Sequence, residues 1–230
     1  MPTVAPVPQK TYTLPPAGTH VARIYKFINL GTRIQNWKGQ PKDYPDTLVE
    51  FTLELPNELN EFEVEENGEK KTIQKPFVIS REFTLSMSHK GHLRPFVEGI
   101  IGAQLTDAEA GAFDIEQLVG MTCLATIVHT KSKDGERTYA NISTVAPLMK
   151  GTEAPAPVNE SVFMDVKTMT LDEFNALPDF KQKKIKISDE WKARFDPDEI
   201  ERKKKLQQEI DARKPQSADS EEIGPEDIPF

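Results

Sequence analysis

What most constrains this chain is a series of period-two segments, broken once by a helical spacing. Thr19 to Leu30, Thr47 to Leu55, Phe77 to Ser86, Met121 to Lys131 and Arg137 to Val145 all read as strands rich in β-branched and aromatic residues. In the first, Val21, Arg23, Tyr25 and Phe27 fall on one face, and Ala22, Ile24, Lys26 and Ile28 on the other. Neither face is purely apolar, so this strand is expected to have a core side and a working side that bears Arg and aromatics. Between the third and fourth strands the period changes. Leu93, Phe96, Val97, Ile100 and Ile101 recur at helical spacing, with Gly102 as a stop. Thr106-Asp107-Ala108-Glu109 reads as the cap and first turn of a second short helix.

Strand, strand, strand, helix and β-hairpin is the order of an OB-type barrel. The expected fold is mainly β: a five-stranded Greek-key barrel with a helix between strands 3 and 4, followed by a partly helical, largely flexible acidic tail. The connections fit this plan. Gly31 and Asn36 to Pro41 form a loop, and Asn67-Gly68 marks a solvated hairpin inserted within residues 57–75. Lys131-Ser132-Lys133-Asp134-Gly135 turns the last hairpin. Residues 1–16 read as a flexible arm and 17–150 as the barrel domain. Residues 151–214 read as a linker with short charged helices, and 215–230 as a disordered acidic tail.

The net charge is −8, which at first sight argues against a nucleic-acid partner. Its distribution matters more. Residues 1–150 carry 16 Lys and Arg against 18 Asp and Glu, whereas residues 151–230 carry 13 against 19. A near-neutral domain can hold a phosphate chain when its cations share a face. No apolar run approaches the roughly 20 residues of a membrane helix, and Met1 to Pro6 lacks the pattern of a signal peptide. With Cys123 as the only cysteine, no intrachain disulfide can form. These features predict a cytoplasmic protein with no membrane partner.

The most specific signal is the C-terminus, Glu221-Glu222-Ile223-Gly224-Pro225-Glu226-Asp227-Ile228-Pro229-Phe230. Ile228 and Phe230 suit one apolar pocket, the terminal carboxylate suits an Arg or Lys there, and Glu226 and Asp227 suit a basic rim. The plainer reading is an ordinary acidic tail.

Asp227-Ile228-Pro229-Phe230 resembles the tip of bacterial single-stranded DNA-binding proteins. Gly18 to Gly151 is similar to an OB-fold family of bacteriophages in four runs: Pro16 to His20, Phe77 to Ser86, Phe113-Asp114-Ile115 and Tyr139-Ala140-Asn141-Ile142. The resemblance implies binding of single-stranded DNA during phage replication, recombination or repair in the host cytoplasm. It also implies docking of helicase, nuclease, primase or polymerase proteins through the tip. The bacterial family carries a Gly/Gln-rich linker where this chain has lysines, so that family's tetramer is not carried over, and homo-oligomerisation stays open.

Binding a single strand without reading its sequence needs cations for the backbone and aromatic faces for stacking. The candidate cations are Arg23, Lys26, Arg33, Lys38, Lys42, Arg81, Lys90, Lys131, Lys133 and Arg137. The candidate stackers are Tyr25, Phe27, Trp37, Tyr44, Phe83 and Tyr139. For Phe27 and Phe83 core packing is the better reading. Trp37 sits between Asn36 and Lys38 in a polar loop, where a core role is less natural. Arg137 and Tyr139 should share a strand face beside the Lys131/Lys133 turn, either as a groove wall or as a solvated hairpin.

Enzymatic readings are weaker. His89 and His92 make too few ligands for a closed metal site. Pro45-Asp46 with Glu69-Lys70-Lys71 only faintly matches a nuclease pattern, and no phosphate-binding Gly-rich loop precedes a Lys-Ser/Thr pair. The expectation is therefore a non-enzyme without cofactor or metal. The alternative is an adaptor or inhibitor that mimics the host tip and never touches DNA.

Overall fold

The computed structural model describes residues 13–66, 69–198, 200–202 and 205. It is mainly β. Strands β1 (Gly18–Arg33), β4 (Asp46–Glu66), β5 (Glu69–Thr84), β6 (Thr122–Lys131) and β7 (Thr138–Pro147) pair in the order β5-β4-β1-β6-β7, and each pairing is antiparallel. A sixth strand, β8 (Val162–Asp165), lies parallel to β1. Two short strands, β2 (Asn36–Trp37) and β3 (Gln40–Pro41), form a separate hairpin between β1 and β4. By backbone pairing the sheet is open, with β5 and β7 at its ends. These ends approach each other: Arg81 on β5 donates to the carbonyls of Ile142 (2.9 Å) and Ser143 (3.4 Å) on β7.

The first core lies under α1 (Leu93–Ile101), whose Leu93, Phe96, Val97 and Ile100 meet the inner face of the sheet. Phe51 is its hub, with ring centroids 5.2 Å from Phe27 and 5.6 Å from Phe96. Phe27 and Phe83 are therefore core residues. Gly99 lets the helix press onto β7, because a Cβ there would sit 2.6 Å from the Val145 carbonyl oxygen. The second short helix, α2 (Asp107–Ala112), has the expected capping box between Thr106 and Glu109.

The alternation predicted for β1 holds only over its first half. A bulge between Ile24 and Lys26 shifts the register by one residue. Phe27 therefore joins Ala22 and Ile24 in the first core, while Ile28 and Leu30 turn to the opposite side. There they enter a second apolar cluster with Leu48, Val166, Met169, Phe174, Leu177, Ile185 and Trp191.

This second cluster draws on residues Val166 to Trp191, part of the stretch 151–214 read as a linker with short charged helices. The short helices α3 (Leu171–Asn175), α4 (Asp179–Lys186) and α5 (Asp189–Phe195) are present, but they are docked on the sheet. The apolar residues of this stretch are sparse in sequence, yet they converge in space. Phe174 and Trp191 stack with centroids 4.0 Å apart, and Arg194 ties α5 to the carbonyls of Val166 and Met169. Gly31 makes this docking possible: at φ +85° it leaves room where a Cβ would sit 2.6 Å from Ser188 Cβ.

The inserted hairpin is a continuation of β4 and β5, which pair from Leu59↔Pro76 out to Glu66↔Glu69. The Asn67-Gly68 turn, the arm up to residue 12 and the tail from residue 206 lie outside the described residues.

If the second cluster folds together with the sheet, Phe174→Ala should cost about 3–5 kcal/mol. Urea unfolding followed by tryptophan fluorescence checks this. A midpoint unchanged from wild type would mean that the helices add nothing to the stability of the sheet.

Candidate nucleic-acid interface

The outer face of β1, β4 and β5 carries a row of polar side chains at alternate positions: Glu50, Thr52 and Glu54 on β4, Ser80 and Glu82 on β5, and Arg23 on β1. Arg23 and Glu54 are cross-strand partners in the register, and their side chains form an ion pair at 3.0 Å. Both are enclosed, Arg23 at 7% and Glu54 at 0% exposure. What encloses them is the chain's own segment 158–161. The Glu54 carboxylate accepts from the backbone N–H of Val158 (3.3 Å) and Asn159 (2.8 Å) and from Asn159 Nδ2 (2.6 Å). Arg23 donates to the Asn159 carbonyl (3.0 Å) and to Ser161 Oγ (2.8 Å).

The rest of this face is fastened in the same way. Lys181 pairs with buried Glu50, and Lys184 pairs with Glu82 at 2.6 Å. Arg33 donates to the Lys184 carbonyl and reaches Glu82. Thr32 donates its N–H and its hydroxyl to Glu190, each at 2.7 Å. Tyr25 and Lys26 are half-buried beside these groups. Burial raises the Tyr25 phenol, helped by Glu54 and Glu50. Burial also lowers the Lys26 ammonium, helped by Lys181. Arg23, Tyr25, Lys26 and Arg33, all candidates for contact with DNA, are thus gathered on one face that the C-terminal segment covers.

The remaining candidates divide between the two ends of β1. At its C-terminal end, the β2–β3 hairpin holds Lys38 in a left-handed turn (φ 51°). Lys42 beside it pairs with Asp46 and lies 5.5 Å from the Tyr44 ring centroid. Residues Gln40 to Tyr44 line a shallow pocket, and Tyr44 is 62% exposed. The backbone of Trp37, a candidate stacker, pairs with Gln40, and its side chain is not among those described. Near the N-terminal end of β1, where Gly18 pairs with Ile127, β6 runs on into its hairpin with β7. Lys131, Lys133, Arg137 and Tyr139 are all exposed there, Tyr139 at 48%. Asp134 and Glu136 share this hairpin; the Asp134 carboxylate is engaged by Ser132 and by the Glu136 N–H.

Arg81 stands apart from both groups. Its guanidinium packs 5.0 Å from the Phe83 ring centroid, bridges to β7, and is lowered by burial. Lys90 is exposed on the bend before α1. The candidate docking residues Glu226, Asp227, Ile228, Pro229 and Phe230 lie outside the described residues. Sequence reasoning missed Glu50, Glu54, Glu82, Asn159 and Ser161. The alternating polar positions on β4 were a signal that its outer face is not a second core, but they could not name the partners.

No group of three or more His, Cys, Asp or Glu is arranged to hold a metal among the described residues. His89 contacts Asp107 at 2.8 Å. No protein-family model matches the chain, and no curated protein matches it in sequence.

Cys123 sits within the first core, and burial pushes its thiol up to about 12. The folded value is the raised one. The burial contribution is therefore fully present below the ordinary value of 9.0 and is lost as pH climbs from there toward 12. Iodoacetamide at pH 8 should leave the folded protein unmodified and alkylate Cys123 only after denaturant is added; modification of the native protein would contradict this placement.

Proposed function

We propose that this protein binds single-stranded DNA without catalysing a reaction, and that Glu226 to Phe230 docks partner enzymes of replication, recombination or repair. The observation that carries the proposal is the pair of exposed hairpins at opposite ends of β1. Each combines cations with an exposed tyrosine: Lys38 and Lys42 with Tyr44, and Lys131, Lys133 and Arg137 with Tyr139. Single strands are held by cations along the backbone and by aromatic faces under the bases, a combination that needs no sequence reading. The sheet supports an OB-type barrel as the scaffold. What supports it is the order β5-β4-β1-β6-β7 together with Arg81 on β5, which bonds to β7 at the other end of the sheet.

The acidic outer face, with Glu50, Glu54 and Glu82, favours a second reading: an adaptor or inhibitor that presents the tip and never touches DNA. One binding experiment separates the two. Fluorescence anisotropy with a labelled oligonucleotide, single-stranded or duplex, is recorded at two salt concentrations. Tighter, salt-weakened binding of the single strand is expected. Reversing Lys131, Lys133 and Arg137 to Glu should then flatten the salt dependence, by about 0.7 in slope for each phosphate that these side chains neutralise in wild type. Absence of binding to either form leaves the adaptor reading.

The tip itself is expected to compete with DNA for the basic hairpins, because a tethered acidic segment acts at high effective concentration. Deleting residues 221–230 should tighten single-strand binding at low salt, and the gain should disappear at high salt. Equal affinity of the two forms at low salt would remove this competition.

A further inference from the structure

We infer that Arg23 and Glu54 form a site for the pairing edge of a nucleobase, and that residues 158–161 occupy it in cis until single-stranded DNA displaces them. The inference rests on the DNA-binding reading above and gives that surface a base-reading element.

The site is built, not incidental. Arg23 and Glu54 are more than nine-tenths buried, and they are fixed opposite each other in the β1/β4 register. Together they present an acceptor beside a donor. Asn159 answers with the complementary pair: its N–H meets Glu54 Oε2 at 2.8 Å, and its carbonyl meets Arg23 Nη1 at 3.0 Å. A ring N–H next to a ring C=O is the same pair, and it is the edge that thymine and guanine present when unpaired. Adenine and cytosine offer a donor–acceptor pair as well, but from an exocyclic amino group beside a ring nitrogen, so the site recognises a pairing edge and the ring N–H is the donor specific to thymine and guanine. Tyr25, at the β1 bulge two residues from Arg23, is half-buried and feels the charge of Glu54.

The segment on top has the features of a displaceable strap. Val158 is 55% exposed and Ser161 is exposed, so the strap has no apolar anchor of its own. Its attachment is polar and converges on one ion pair. The chain leading into it, residues 148–157, is largely exposed and is turned by a bond from the Thr152 N–H to the Met149 carbonyl. Few buried contacts and exposed backbone are the marks of segments that open at low cost. By contrast, the segment that follows is pinned by β8 and the second apolar cluster. Opening the strap therefore need not undock the helices.

Asn159→Pro tests this, because it removes both the backbone N–H and the side-chain amide that bind Glu54. In the full-length chain it should bind an oligo-dT strand about tenfold more tightly than wild type, the effect of losing roughly one net hydrogen bond to a charged group. An oligomer of N3-methylthymidine keeps the stacking face but lacks the ring N–H. It should bind the variant about tenfold more weakly than oligo-dT, the scale of one good base-edge contact. In wild type, hydrogen exchange at the Asn159 amide should speed up when oligo-dT is saturating. If wild type binds single strands but Asn159→Pro binds no tighter and the Asn159 amide is unaffected by DNA, the strap is a fixed part of the fold and the inference falls while the functional reading stands. Equal binding of dT and its N3-methyl form rejects the edge-reading site. If neither wild type nor variant binds any single strand, the functional reading itself fails and takes this inference with it.

Discussion

The Arg23–Glu54 pair is the interaction on which the arrangement of the C-terminal half depends. Burying two charges is costly, and mutual attraction repays that cost only when the remaining lone pairs and protons find partners. Here they do. Both Glu54 oxygens accept bonds from residues 158–159 in addition to Arg23, and both terminal nitrogens of Arg23 are used. Among the described residues, no buried side-chain N or O atom lacks a partner. The pair thus takes its remaining partners from the chain that crosses it, and the chain in turn is aimed by the pair. Residues 158–161 pass over the outer face and enter β8 in register with Lys26 to Asn29.

That entry has consequences for the whole sheet. The first half of β1 pairs with β6 and the second half with β8, so two different segments succeed each other along one edge of a single strand. The bulge at Ile24/Lys26 falls between these halves. It makes Phe27 face the first core while Ile28 and Leu30 face the second. The extra residue at this bulge places Ile28 on the side opposite Phe27, and the sheet buries apolar side chains on both sides, under α1 on one and under α3 to α5 on the other.

The strands and the helix Leu93–Ile101 were legible in the sequence because each is a local pattern: a period of two, a period of 3.6 and a Gly102 stop. The hairpin around Asn67-Gly68 was legible for the same reason, through the register that flanks it. What could not be read locally was the bulge, which leaves no composition signal at Tyr25, and the fate of residues 158–195. That stretch has low apolar content and many lysines, the appearance of a solvated linker. Its apolar residues are widely spaced and become a core only when Phe174, Ile185 and Trp191 meet on Ile28, Leu30 and Leu48. Two of its lysines look like free cations in the sequence, yet Lys181 and Lys184 are committed to Glu50 and Glu82. The same masking affects the candidate site. Arg23 and Arg33 stand out in the sequence by charge alone, and both are occupied by partners that lie far along the chain.

This occupation bears on how a chain of net charge −8 could meet a polyanion. The sum counts Glu50, Glu54 and Glu82 as repulsive, but each is paired at short range with a cation on the same face. Opposed charges a few ångströms apart cancel at the distance of an approaching phosphate, and salt shortens the reach of what remains to about 8–10 Å. The field that steers a strand is then set by the exposed charges that remain. Lys131, Lys133 and Arg137 stand on an exposed hairpin, and Lys38 on another. A strand drawn to these two ends would lie across β1, over the one polar segment whose removal uncovers a donor and an acceptor. Under the proposed function the internal ion pairs would do two things at once: they would hide the acidic face from the phosphates and keep an edge-shaped site ready beneath the strap.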